Sequence, residues 1–289
     1  MYLLTLTIIF AAFNSLLLHK VKLQSNPSVY LFGALTSAVW LMALFSLNGF
    51  QITFSTTALI FGIAYGVTQA LFVFFKTMAM NTGPVSVTTL VGNASLLVSV
   101  IVCYFVWDEP IGLPDALGLL ALLAALFITT YKKGDLARRK VWYIYSLLFL
   151  ITAAGVGISF KAFSKSRGAC EINDMMIVAA AVMLAIHLIL FALSALSSRH
   201  RDSRSENFPR ESSFYLIGIG QGILSCLYNR LNIYLSGELD AVIFFPFFNG
   251  GVVILSALLS ALFFKERLTP RQLSGFALGI LAITVIGIF

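Results

Sequence analysis

Ten apolar runs follow one another along the chain, each near the length that crosses a lipid bilayer and each closed by a short polar stretch. A helix rises about 1.5 Å per residue, so spanning a hydrocarbon core of ~30 Å takes about 20 mostly apolar residues. The runs cover residues 2–18, 28–47, 54–80, 84–106, 114–131, 142–163, 175–197, 213–236, 241–264 and 270–289. They are continuous and do not alternate over units of about ten residues, which excludes a transmembrane barrel. The expected fold class is an all-α integral membrane protein with ten transmembrane helices. The first run is short and holds Asn14, yet it is expected to be a span and not a cleaved leader. Its basic residues, Lys20 and Lys22, follow the apolar stretch, and no small-residue cleavage pattern is present.

Charge usage agrees with this reading. Only 11% of the 289 residues are charged and 59% are hydrophobic, where a soluble domain carries about a quarter charged residues. The net charge of +7 does not point to nucleic acid, because the basic residues are bunched in alternate loops. Loops 19–27, 132–141, 198–212 and 264–271 hold 2, 5, 4 and 3 Lys or Arg. The opposite loops, 48–53, 107–113, 164–174 and 237–240, hold two in all, Lys165 and Arg167. This asymmetry places the first set in the cytoplasm and both termini outside. A multi-pass protein of the cell (inner) membrane is expected, a monomer or homodimer whose partners are lipid and a small-molecule substrate. The three cysteines, Cys103, Cys170 and Cys226, lack disulfide or metal-type spacing. No metal or other cofactor is expected.

The second strong signal is an internal repeat. The polar knot "VWDEPIGLPDALG" (106–118) returns as "FFKERLTPRQLSG" (263–275), a shift of 157 that places Glu109 on Glu266 and Gly118 on Gly275. The same shift brings Gly92-Asn93 onto Asn249-Gly250. Earlier in the halves a shift of 154 aligns Gly66 with Gly220, Lys76 with Arg230 and Gly83 with Gly237, leaving Glu238–Asp240 as an insertion. Residues 1–131 and 142–289 are thus read as two five-helix repeats joined by a basic loop, 132–141. Five spans is an odd number, so the second copy enters from the opposite side. Such inverted halves place a binding site at mid-membrane, where they meet.

In this order of parts the chain resembles the drug/metabolite transporter superfamily, specifically its ten-helix EamA-like family. The run "SALLSALFFKERLTPRQLSGFALGILAITVIG" carries the likeness most strongly, and "LVSVIVCYFVWDEPIGLPDALGLLALL" carries it less strongly. The resemblance implies a secondary transporter that moves a small organic metabolite by alternating access. It also implies a cavity lined mainly by the first, third, fourth, sixth, eighth and ninth helices. Members are usually drawn with both termini cytoplasmic, whereas the loop charges here argue the reverse.

Candidate site residues follow from depth and spacing. Asn93 and Asn249 fall eight or nine residues into their spans, about 13 Å deep, beside residues that weaken a helix (Gly92, Pro246, Gly250, Gly251). Their amides could hold a polar ligand, or the glycines could serve close helix packing. Tyr65, Gln69, Phe72 and Lys76 form one stripe of the third span, suited to an anionic or zwitterionic metabolite. Alternatively Lys76 snorkels to the interface. In the eighth span Gly218, Gly222, Ser225 and Asn229 share a face, with Gln221 about 80° to one side and Arg230 about 100° to the other. Gly62/Gly66, Gly218/Gly222 and Gly275/Gly279 read as packing faces. Arg230 is either a ligand cation or the partner of Glu238 or Asp240. Asn14 joins the candidates because the first helix should face the cavity. Lys161 is expected to snorkel and His187 to hydrogen-bond a neighbour as a neutral imidazole. The knots read as helix-start signals, Glu109 and Glu266 for negative charge at a positive helix end and Thr269-Pro270 as a cap.

No Asp or Glu lies deep in any span, so a carboxylate proton relay has no evident carrier. Paired intramembrane Asp and His/Glu metal sets are likewise missing, which argues against an enzyme. The expected function is transport of a small polar organic metabolite, an amino acid or organic anion. The alternatives are a multidrug or lipid-type exporter, or an accessory membrane protein without transport.

Overall fold

The computed structural model describes residues 2–19, 26–130, 140–166, 172–198, 212–264 and 269–288. Ten helices and no strands occur among them: α1 (Tyr2–His19), α2 (Asn26–Leu47), α3 (Thr56–Thr82), α4 (Val85–Trp107), α5 (Leu113–Thr130), α6 (Lys140–Lys165), α7 (Ile172–Ser198), α8 (Ser212–Glu238), α9 (Ala241–Phe264) and α10 (Pro270–Ile288). Each coincides with one of the ten apolar runs to within a few residues. Eight are long and apolar enough to cross a membrane. The other two are α1, apolar over Tyr2–Leu17, and α8, whose apolar character is diluted by Gln221, Asn229, Arg230 and Asn232. Outward-facing Phe105, Leu216 and Leu262 are each at least 68% exposed, as suits side chains whose solvent is lipid.

Helix ends follow local chemistry. Asp108 adopts a left-handed conformation (φ 52°) and ends α4. Thr269 and Gln272 form a capping box at the start of α10. The Gln272 N–H donates to Thr269 Oγ1 at 3.2 Å, and the Thr269 N–H donates to Gln272 Oε1 at 2.9 Å. Pro270 takes the first helical position, where its missing N–H costs nothing. At the start of α5 the Gly112 N–H donates to Asp115 Oδ2 at 2.8 Å, the same back-reach 157 residues earlier. Thr269→Ala is expected to destabilise by about 1 kcal/mol, read as a lowered melting temperature of the purified protein. Glu266 and most of the basic connector, 131–139, lie outside the described residues.

The chain forms two compact units. One comprises Met1–Ile9, Leu71–Ser166 and Asn232–Phe289, and the other Phe10–Ala70 and Arg167–Leu231. The division falls inside α1, α3 and α8, so each unit takes helices from both sequence halves.

In the first unit α5 packs along α10 and α4 along α6. The α5–α10 contact is reciprocal. A Cβ at Gly118 would stand 2.5 Å from Ile286 Cγ1 and 3.1 Å from the Ala282 carbonyl, and one at Gly275 would stand 2.5 Å from Thr129 Cγ2 and 3.0 Å from the Ala125 carbonyl. Ala282 and Ile286 stand 157 residues after Ala125 and Thr129, the same shift that relates Gly275 to Gly118. Phe149 of α6 lies against Gly92, and the Trp142 indole N–H donates to Thr88 Oγ1 at 2.9 Å. Leu96, Val100, Cys103, Leu122, Phe244 and Ile286 belong to the buried core of this unit. In lipid such cores gain by close packing more than by escape from water, which is why the glycines matter.

In the second unit α2 packs along α7, and glycines bring two more helices onto this pair. Gly62 and Gly66 of α3 sit on Met175, Val178, Ala179 and Val182 of α7, while Gly218 and Gly222 of α8 sit on Phe32, Leu35, Thr36 and Val39 of α2. The two contact sets match residue for residue, by 156 along α3 to α8 and by 143 along α2 to α7. The contact register is therefore 156 and not the 154 expected from sequence. Gly220, the expected equivalent of Gly66, meets Leu17 instead.

Candidate functional site

The second unit holds a polar network near the middles of α3 and α8. Tyr65 and Gln69 lie one turn apart on α3, and Gln221, Ser225 and Asn229 follow one another at one-turn spacing on α8. Tyr65 Oη donates to Asn229 Oδ1 at 3.3 Å, and Asn229 Nδ2 donates to the Ser225 carbonyl at 2.8 Å. Ser225 Oγ donates in turn to Asn14 Oδ1 at 3.4 Å. Trp40 packs edge-on against Tyr65 with ring centroids 6.4 Å apart. Gln69 Oε1, Gln221 Oε1 and Trp40 Nε1 are buried atoms without a hydrogen-bond partner among the described residues. The structure thus brings three expected residues, Asn14, Tyr65 and Asn229, into one network through Ser225. Gln69 and Gln221 belong to the same unit.

Arg230 lies outside that network. Its Nε donates to Asn173 Oδ1 at 2.7 Å. Asn173 Nδ2 donates to Asn48 Oδ1 at 3.1 Å, and Asn48 Nδ2 donates to Asp174 Oδ1 at 3.0 Å and to the Gln51 carbonyl at 2.6 Å. The sequence-based alternative, pairing with Glu238 or Asp240, is not what the structure contains: among the described residues no carboxylate lies within 4 Å of Arg230. Asn48, Asn173 and Asp174 escaped the sequence reading because they sit at the ends of apolar runs. Two consecutive polar residues opening an otherwise apolar helix were the available signal.

The remaining three candidates belong to the first unit. Lys76 Nζ stands over the Phe72 ring, 5.8 Å from its centroid, and among the described residues it has no carboxylate within 4 Å. Phe72 in turn packs on Phe149 at 5.4 Å between centroids. Asn93 Nδ2 is buried without a partner among the described residues. Asn249 differs from its sequence equivalent: its Nδ2 donates to the Phe245 carbonyl at 2.9 Å, on its own helix beside Pro246. Lys76 and Arg230, aligned by the sequence shift of 154, fall in separate units. At the register of the helix contacts Lys76 corresponds to Asn232. The sequence alignment of Lys76 with Arg230 is therefore corrected.

Two further sequence expectations change. Lys161 does not snorkel. It is 1% exposed and forms an ion pair of 2.5 Å with Glu109 Oε1, while its ammonium also donates to the Leu239 carbonyl at 2.7 Å. Glu109 does not serve the start of α5. Its Oε2 accepts from the N–H of Ala241, the first residue of α9, at 2.7 Å. The carboxylate thus complements the positive end of a helix distant in sequence. His187 does hydrogen-bond locally, through Nδ1 to the Met183 carbonyl at 2.8 Å. A carbonyl only accepts, so Nδ1 carries the proton. Among the described residues no group of three or more His, Cys, Asp or Glu could hold a metal.

No family model and no curated protein matches the chain. One solved structure, described only as a crystal structure of a protein, aligns with 99% of this chain and 97% of its own, with a TM-score of 0.72 at 17% identity. The likeness is one of fold. It extends over the whole helical architecture and not over one half alone.

Proposed function

We propose that the chain is a secondary transporter of the cell membrane that moves a small polar organic metabolite by alternating access. Ten transmembrane helices are arranged as two inverted five-helix repeats. The observation that carries this reading is that buried amide atoms near the helix middles, Gln69 Oε1 and Gln221 Oε1 in one unit and Asn93 Nδ2 in the other, have no hydrogen-bond partner among the described residues. Gln69 stands at the middle of α3, Asn93 about 5 Å and Gln221 about 6 Å from the middles of α4 and α8. An unsatisfied polar atom costs about 1–3 kcal/mol, and polar groups in lipid mark solute pathways. A chain that keeps three of them spends stability on something other than packing. The matched glycine contacts add support, because α5/α10 and the α3–α7 and α8–α2 pairs exchange partners as a two-fold relation requires. Halves of equivalent construction allow an outward and an inward state of comparable energy.

The test is counterflow in liposomes containing the purified protein, with labelled amino acids and small organic anions. Saturable exchange is expected, with the apparent KM raised at least ten-fold by Gln69→Ala or Gln221→Ala. Asn93→Ala is expected to raise it to a smaller extent. Absence of saturable exchange for every compound, or movement of labelled lipid alone, would overturn the reading.

A further inference from the structure

We infer that Arg230 is the recognition group for a single carboxylate on the transported solute, and that Asn173, Asn48 and Asp174 form the device that keeps its charge available. The inference rests on the carrier reading above.

The hydrogen-bond chain runs in one direction. Arg230 Nε can only donate, so Asn173 presents its oxygen to it. That turns the Asn173 NH₂ toward Asn48, which presents its own oxygen. The Asn48 NH₂ then meets the Asp174 carboxylate and the Gln51 carbonyl, both acceptors. Donor-only and acceptor-only groups at the two ends fix both amide orientations, which would otherwise be interchangeable. Asn173 and Asp174 are 7% and 3% exposed, so the chain is anchored in the packed part of the unit.

The result is a cation and a carboxylate tied together yet held out of contact. A direct ion pair would have used the charge of Arg230. Two intervening amides fix the guanidinium and leave both its terminal amino groups without partners among the described residues. Arg230 is itself exposed, about 8 Å beyond the middle of α8. With Nε occupied, the edge formed by the two terminal nitrogens is open, and this edge matches a carboxylate with two parallel hydrogen bonds. Charge selects among oxyanions. Arg230 is one cation, and Asp174 supplies a nearby negative charge that disfavours a dianion. A monocarboxylate matches the single charge of Arg230, whereas a phosphate dianion adds a second negative charge near Asp174.

The full-length protein in detergent tests this with acetate, benzoate and inorganic phosphate as probes of thermal stability, because a ligand bound to the native state raises its melting temperature. Acetate and benzoate are expected to stabilise the protein saturably and phosphate is not. Arg230→Gln should weaken carboxylate binding at least ten-fold, and Arg230→Lys should weaken it less, keeping the charge without the fork. Asn173→Asp is the decisive variant. It sets a carboxylate against Nε, so the protein should stay folded while exogenous carboxylate affinity falls at least ten-fold. A structural role for Asn173 alone predicts no such loss. The inference is overturned if neither carboxylate stabilises the wild type, if phosphate equals acetate, or if Arg230→Gln or Asn173→Asp binds as the wild type does. Carboxylate binding at Arg230 without saturable flux in liposomes would refute the carrier reading alone. Saturable carboxylate flux with an unchanged KM in Arg230→Gln would refute the anion site alone.

Discussion

Replacing Glu109 with alanine is expected to destabilise the protein by about 3–5 kcal/mol, the cost of breaking one side of a buried ion pair. Three contacts go at once. Lys161, 1% exposed, keeps its charge and its bond to the Leu239 carbonyl but loses the carboxylate at 2.5 Å. The Ala241 N–H loses its acceptor at 2.7 Å, so the first turn of α9 is left with a bare donor. Lys165, 3.6 Å from the same carboxylate and 40% exposed, is a cation like Lys161 and cannot replace it. Lys161→Met should cost a similar amount by stranding Glu109. The double variant Glu109→Leu with Lys161→Met should recover most of the loss, because an apolar pair of similar volume strands no charge. Unfolding curves of these variants in mixed detergent, with the Glu109→Leu single variant added to close the cycle, measure the coupling. Additive single losses, or a loss under about 1 kcal/mol for Glu109→Ala, would show that the pair is not what holds α9 in place.

The second large effect concerns the reciprocal glycines. Gly118→Leu and Gly275→Leu should each destabilise by about 1–3 kcal/mol through overpacking, and by nearly equal amounts. Even a single added carbon meets a side-chain carbon at 2.5 Å and a backbone carbonyl at 3.0–3.1 Å at both positions. Gly279→Ala is the control. Its Cβ would meet nothing nearer than 3.5 Å, so the variant should be neutral or gain up to about 1 kcal/mol of helix propensity. Melting temperatures of the three variants decide the point. A strong difference between Gly118→Leu and Gly275→Leu would mean that the sequence repeat is not matched by an energetic one.

The particular places where sequence and structure part company have a common cause. The stripe Tyr65–Gln69 and the face Gly218–Gly222–Ser225–Asn229 were legible because they depend only on spacing along one helix. That Tyr65 meets Asn229, and that Ser225 carries the network on to Asn14, depends on how α1, α3 and α8 are rotated. The shift of 154 in place of 156 shows the sensitivity: two residues turn a helix by about 200°. The wrong register therefore paired Lys76 with Arg230, which the structure assigns to separate units. Pairing Arg230 with Glu238 or Asp240 failed for the same reason, since proximity in sequence says nothing about which neighbouring helix presents an acceptor.

What the sequence determined by itself is what acts within a turn or two of the chain: the ten helices and their limits, the cap at Thr269–Gln272, and the small faces at Gly62/Gly66 and Gly218/Gly222. Hydropathy and capping are local, and backbone hydrogen bonds in lipid must close within each helix. Only the tertiary structure decided that Glu109 serves α9, that Lys161 is buried with it, and that Arg230 is tethered through two amides to Asp174. Those contacts join residues 52 or more apart in the chain, and a polar side chain deep in a helix bundle bonds to whatever the neighbouring helix turns toward it.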